Sequence, residues 1–257
     1  MTVTTTTEFY MTQFKFLATV TACAAGLAMS TAAHSAITLN TAGVDAQSVF
    51  TFSTVAVGQM GLVNVSVAAA AGSNTTLNSI TPTVDPESGL TVDVPAFNMP
   101  VTKAQIKVGW DLKISPVAGD AMRSALILSR PAGRGQPPLK VALANFRIDF
   151  VNEVMNADII TATGVSSNVP LYNFTDNKDT KISLKGLALI MTGSFRDMIF
   201  DDAAADKIGD GLNIAAVLRP PLKEAQWGGV AINVNVLKKR PGGKVNDTPI
   251  TAADLGF

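Results

Sequence analysis

Ile106, Val108, Trp110, Leu112 and Ile114 alternate with Lys107, Gly109, Asp111 and Lys113. A period of two puts one set of side chains in a core and the other in water, which is the pattern of a half-buried antiparallel strand. The same alternation returns in Phe146, Ile148 and Phe150, then in Met155, Ala157 and Ile159. The two runs are separated by Val151-Asn152-Glu153 and read as a hairpin. Val230, Ile232, Val234 and Val236 repeat it near the end, and further strands are expected at 48–57, 61–70, 89–98, 122–129, 168–174 and 181–191. In this phase Trp110 falls on the apolar face and is expected in the core. Prolines at 82, 86, 95, 100, 116, 131, 137, 138, 220 and 221 fall between or at the edges of these runs.

One stretch departs from the period of two. Phe195, Met198 and Ile199 have helical spacing, Ser194 with Asp197 resembles a capping box, and Gly209 supplies a stop. The expected architecture is therefore mainly β, an antiparallel β-sandwich or jelly-roll-like single domain with one short helix near 194–208.

The first 35 residues belong to a different class. Lys15 precedes the apolar run Phe16–Ala32, and Ala33-His34-Ser35-Ala36 supplies small residues behind it. Those are the three parts of a secretory signal. Met11 then reads as the true start, and cleavage is expected after Ser35. The run is too rich in Ala and Thr for a transmembrane anchor, so none is expected after cleavage. Val20-Thr21-Ala22-Cys23 resembles a lipobox, but apolar residues continue to Leu27 and Met29, so acylation of Cys23 is the lesser reading. Residues 36–257 form the expected domain, with a flexible basic tail from about 238 (Lys238-Lys239-Arg240). The destination is the periplasm, the cell surface or the medium.

Processing removes the one His and the one Cys, together with Glu8 and Lys15. Acids and bases remain balanced at 19 each, so no basic field is present to hold nucleic acid. Without His or Cys, the Ser-His-Asp and Cys-His nucleophile systems and ordinary zinc sites are excluded, and no enzyme and no cofactor are expected. Oxygen ligands suit calcium. Its candidates are Asp176 and Asp179 in one turn, and Asp206 and Asp210 with Asp201 and Asp202 in another segment. Neither set has EF-hand spacing, and both read first as solvated surface. Arg130, Arg134 and Lys140 flank a Gly/Pro loop that reads as a hairpin tip.

From about 89 to 218 the order of features resembles secreted bacterial β-rich domains of the HtaA-like kind. The residues that carry the resemblance are Leu90–Pro95, Val141–Asp149, Met155–Ile159, Val169–Phe174 and Leu184–Thr192. It implies an exported or surface protein. Some such domains bind haem through Tyr and His near the iron, a role for which the processed chain keeps Tyr172 alone. The expected function is that of an exported, non-enzymatic structural, adhesive or surface-assembly protein, partnered by another copy or by a cell-envelope component. The alternative is a carrier of an apolar small molecule or haem.

Overall fold

A computed structural model describes residues 36–257 except 112, 177–179 and 186–187, with the backbone alone at 176, 184, 185 and 188. The expected signal and Cys23 lie outside the described residues.

Among the described residues, thirteen strands form one antiparallel sheet. In chain order they are β1 (Ile37–Asn40), β2 (Val44–Phe52), β3 (Ser66–Ala69), β4 (Thr76–Val84), β5 (Thr91–Pro100), β6 (Lys103–Val108) and β7 (Ile114–Arg130). They continue with β8 (Leu139–Asp149), β9 (Val154–Thr161), β10 (Gly164–Asp176), β11 (Lys181–Lys185), β12 (Ala188–Phe200) and β13 (Gly228–Lys239). Three α-helices, α1 (Thr54–Leu62), α2 (Asp202–Gly211) and α3 (Pro220–Glu224), fill the connections. The strand order is β1-β6-β7-β8-β9-β10-β12-β13-β2-β5-β4, with β11 beside β12 and β3 beside β7. The expected hairpin of 146–150 with 155–159 is β8–β9.

The sheet curls until β5 runs into β6 through a two-residue corner. There Val101 N–H donates to the Ala46 carbonyl at 3.0 Å and Thr102 N–H to that of Asp120 at 2.7 Å. Phe50, Phe97, Leu126, Leu143, Ile159, Leu171 and Phe195, drawn from seven strands, are buried in the core so enclosed. Aromatic rings tie its walls: Tyr172 stacks on Phe200 with centroids 4.4 Å apart, and Phe174 on Phe195 at 4.2 Å.

The single expected helix is one of three, and the strands expected at 48–57 and 61–70 give up their facing ends to α1, which Ser53 caps. Three further expectations change. Ser194–Phe200 is the end of β12, and the helix starts later, at Asp202. Asp197 lies in the left-handed region at φ 56°, and the β10–β12 register shifts there. The extra residue turns Phe195 and Met198 to the same inward face, so a bulge reproduces a helical i,i+3 spacing. Asp201, not Ser194, caps the helix, accepting from the N–H groups of Ala203 at 3.0 Å and Ala204 at 3.3 Å.

Trp110 is the second. β6 stops at Val108, Gly109 N–H closes the turn on the Lys113 carbonyl at 2.7 Å, and Trp110 stands 88% exposed on that turn. The period of two runs on through a hairpin tip between β6 and β7, where it no longer reports a buried face.

Third, the segment expected to trail free from about 238 is packed. Arg240 is buried at the β5–β6 corner and donates to the carbonyls of Ala42 (3.1 Å), Ala46 (2.6 Å) and Val101 (3.1 Å). Ile250 is buried against Ala125, Ala142, Ala144 and Ile160 on the outer face of β7–β9, with Leu255 and Phe257 beside it. The alanines keep this face low enough for a chain to lie across it. A guanidinium donating to several carbonyls and an isoleucine on an alanine bed are why the tail is held rather than solvated.

Candidate functional site

A sheet exposes backbone donors and acceptors at its edges, and proteins shorten, charge or cover such edges to stop them pairing with other chains. β1 and β3 are four residues each, and β11 is five and begins with an exposed Lys181. β4 is different. Its nine residues, Thr-Leu-Asn-Ser-Ile-Thr-Pro-Thr-Val, carry no charge, and among the described residues it pairs with β5 alone. Leu77 is 52% exposed, Ile80 56% and Val84 61%.

The local sequence builds this edge. Asp85 Oδ1 accepts from the N–H groups of Glu87 (2.9 Å) and Ser88 (2.8 Å), and Gly89, at φ 69°, returns its N–H to the Asp85 carbonyl at 2.8 Å. Those N–H groups, Ser88 foremost, hold the Asp85 carboxyl, tucked under its own turn, below its ordinary range. The tight turn sends β5 back with Val94 and Phe97 buried, while β4 stays outside. β2 covers the far side of β5 only over Ala96–Pro100, so the first half of β5 and its partner β4 form a two-stranded ribbon.

Sequence reading missed β4. The available signal was Ile80, Pro82 and Val84 alternating with Thr81 and Thr83, bounded by the Asp85–Gly89 turn. A proline inside such a run marks an edge strand.

Tyr172 lies inside the core with its ring between Phe200 and Phe50, whose centroid is 6.0 Å away. Burial pushes its phenol far above the usual range. Among the described residues, one apolar cavity of about 20 Å³ is bordered by Met60, Leu128, Phe200 and Trp227, and another of about 20 Å³ by Phe50, Phe146, Met191 and Ile232. Such a volume accommodates a water molecule, and an organic ligand needs several hundred Å³.

Of the calcium candidates, Asp206 and Asp210 are answered by cations. Lys223 Nζ lies 2.9 Å from Asp206 Oδ2, and Arg219 2.7 Å from Asp210 Oδ1. Asp179 lies outside the described residues, and of Asp176 only the backbone is described. Among the described residues no three of His, Cys, Asp or Glu come together to hold a metal. Arg130, expected at a hairpin tip, points back and donates to the carbonyls of Val63 (3.0 Å) and Leu212 (3.1 Å).

An open, polar cleft of about 400 Å³ lies over β6–β9, with Asp120, Arg147 and Asn156 among its walls. Burial raises the Asp120 carboxyl, opposed by Lys103 and Arg147. Arg147 itself is engaged by Asp158 Oδ1 at 3.3 Å and Asn168 Oδ1 at 3.1 Å. The cleft offers amides to a polar group, with its guanidinium already paired.

No protein-family model and no curated protein matches the chain. Among solved structures, the C-terminal domain of HtaA from Corynebacterium glutamicum is similar, with 14% identity and a TM-score of 0.38. The match covers 75% of this chain and 98% of that domain. The chain carries a weak HtaA-like resemblance. The fold class itself rests on the strands described above: a single β-rich domain, mostly antiparallel sheet, with short helices.

Proposed function

We propose that the chain is an exported, non-enzymatic assembly protein of the cell envelope, and that copies of it join through β4. The open edge of β4 carries this reading. An uncharged strand paired with its own copy about a two-fold axis sets no like charges opposite one another, and the sheet is extended by backbone hydrogen bonds except at Pro82, which has no N–H to give. Leu77, Ile80 and Val84 add apolar surface to the contact. The two apolar cavities bordered by described residues are about 20 Å³ each, which favours this reading over a carrier that holds an apolar molecule or haem in either of them. The signal-like leader, a sequence reading, supports export.

Sedimentation velocity on residues 36–257 over a wide concentration range tests it. Concentration-dependent dimers are expected, and Leu77→Lys with Ile80→Lys is expected to abolish them without lowering the melting temperature. A wild-type chain that stays monomeric at the highest concentration overturns the reading.

A further inference from the structure

We propose that the polar cleft over β6–β9 is a saccharide-binding site, which takes a neutral sugar ring through its neighbouring hydroxyls.

The register of the sheet builds the cleft. Lys103, Asp120, Arg147 and Asn156 are successive cross-strand partners on β6, β7, β8 and β9, so their side chains form one row on one face. Phe146, next to Arg147, is buried in the core, which puts the row on the outer face. Two residues along, Gln105, Ala118 and Asp149 form a second row on that face. Ala118 is the low point between them, with Gln105 and Asp149 to either side and Asp120 further along its own strand. The cleft of about 400 Å³ opens there, a volume within the range of small-molecule sites.

Its charges are already matched. Arg147 lies 3.3 Å from Asp158 Oδ1. Asp149 accepts from the N–H groups of Val151 (2.9 Å) and Asn152 (3.0 Å) and from Asn152 Nδ2 (2.7 Å). Lys103 and Asp120 are direct cross-strand partners. Among the described residues of the cleft no countercharge is left over for an ionic ligand: an anion meets Asp120, and a cation meets Lys103 and Arg147. A neutral ligand fits best.

What the cleft offers is hydrogen bonding. Asp120 is half-buried, and among the described residues its carboxylate has the charges of Lys103 and Arg147 beside it but no hydrogen bond. Asp120, Gln105, Asn156 and Arg147 are all planar groups with two or more polar atoms. The carboxylate accepts, the amides donate and accept, and the guanidinium donates. Neighbouring hydroxyls on a sugar ring each donate and accept, so planar groups of this kind engage them in pairs. An apolar ligand would instead leave the same groups without partners. Val117 and Val151, the latter 69% exposed, line the cleft too and give apolar surface to the C–H groups of a ring.

The test titrates isotope-labelled residues 36–257 with glucose, galactose, mannose and N-acetylglucosamine, each also as its methyl glycoside. Citrate and spermidine are the charged controls, and amide NMR shifts are the readout. At least one sugar is expected to move the amides around Ala118, Asp120, Arg147 and Asn156 saturably. Binding of the glycoside as well assigns the cleft to a residue within a glycan chain, and binding of the free sugar alone to a free sugar. Asp120→Asn is expected to weaken binding about tenfold through loss of a charged acceptor. Ala118→Leu, which fills the floor, is expected to abolish it, and neither variant is expected to lower the melting temperature. No saturable shift with any sugar overturns the proposal, as does tighter binding of citrate or spermidine, or sugar binding undiminished in both variants. No residue of β4 lines the cleft, so a monomer that binds sugar fails only the β4 reading, and a dimer that does not bind it fails only this one.

Discussion

Asn145 Nδ2 donates to Asp158 Oδ2 at 2.7 Å between two buried side chains on neighbouring strands. The same amide embraces the C-terminal segment: Nδ2 donates to the Ile250 carbonyl at 2.9 Å, and Oδ1 accepts the Ile250 N–H at 2.9 Å and that of Arg123 at 3.2 Å. Asp158 Oδ1 in turn accepts the Asn168 N–H at 2.8 Å. Arg123, Asn145 and Asn168 all have positive φ, so one polar line pins three irregular positions on β7, β8 and β10.

Asn145→Ala removes the centre of that line. It strands the Arg123 and Ile250 N–H groups and places a non-Asn residue at φ 53°. A loss of about 2–4 kcal/mol is expected, read from urea denaturation. Proteolysis within 246–257 is expected to accelerate, because the segment loses its anchor. Unchanged stability would show that the line is decorative.

Tyr172 is the only tyrosine after residue 35, so phenolate absorbance reports it alone. Its folded value lies above the ordinary 10.0 because burial disfavours the anion. A raised value means the native state keeps its proton longer than the unfolded chain. This contribution to stability is therefore complete below about pH 10 and is lost as pH rises above it. Alkaline titration of residues 36–257 is expected to show no phenolate until the protein unfolds, the two signals moving together. A phenolate appearing near pH 10 in folded protein would place the ring at the surface.

Asp120 has the same sign at the acid end. Burial raises its folded value above 3.8, with Lys103 and Arg147 opposing. The carboxyl stabilises the fold most when protonated, and stability falls as pH rises through the raised value. Asp120→Asn is thus expected to leave the protein slightly more stable than wild type at neutral pH, with the gap closing as pH falls below the unfolded carboxyl range. Melting curves across pH 3–8 check it, and a less stable variant at pH 7 would show that the charge pairs outweigh burial.

Strands were readable wherever one face is buried and the other wet, as in Phe146–Phe150 and Val230–Val236. Val141–Phe146 instead runs buried throughout, because Ile250 covers the outer face and destroys the alternation. β4 escaped reading for the opposite reason, since both its faces meet solvent. α1 holds Val55, Val57, Gly58 and Gly61, which disfavour helix. Its one local signal is Ser53, whose hydroxyl accepts the Ala56 N–H at 3.0 Å. Trp110 was misplaced because a period of two says nothing about where a hairpin turns. Pro82 marks an edge strand locally, but which edges stay uncovered is a property of the assembled sheet and is set by the strand order.

The start of β13 gives the sharpest contrast between a glycine that space requires and one that it does not. A Cβ on Gly228 would stand 2.0 Å from the Thr51 carbonyl oxygen and 2.9 Å from Phe52 Cα, and the residue sits at φ 131°. Both obstacles are backbone atoms of β2, so relief requires β13 to move off β2. Gly242 also has positive φ, at 81°, yet a Cβ there meets nothing within 4 Å. Gly242→Ala is therefore expected to cost only the conformational strain of about 1–2 kcal/mol, and Gly228→Ala at least about 3 kcal/mol. For a domain of this size each kcal/mol lowers the melting temperature by about 2–4 °C. Calorimetry is thus expected to place Gly228→Ala well below Gly242→Ala. Equal melting temperatures would mean that β13 does not lie against β2 at Gly228.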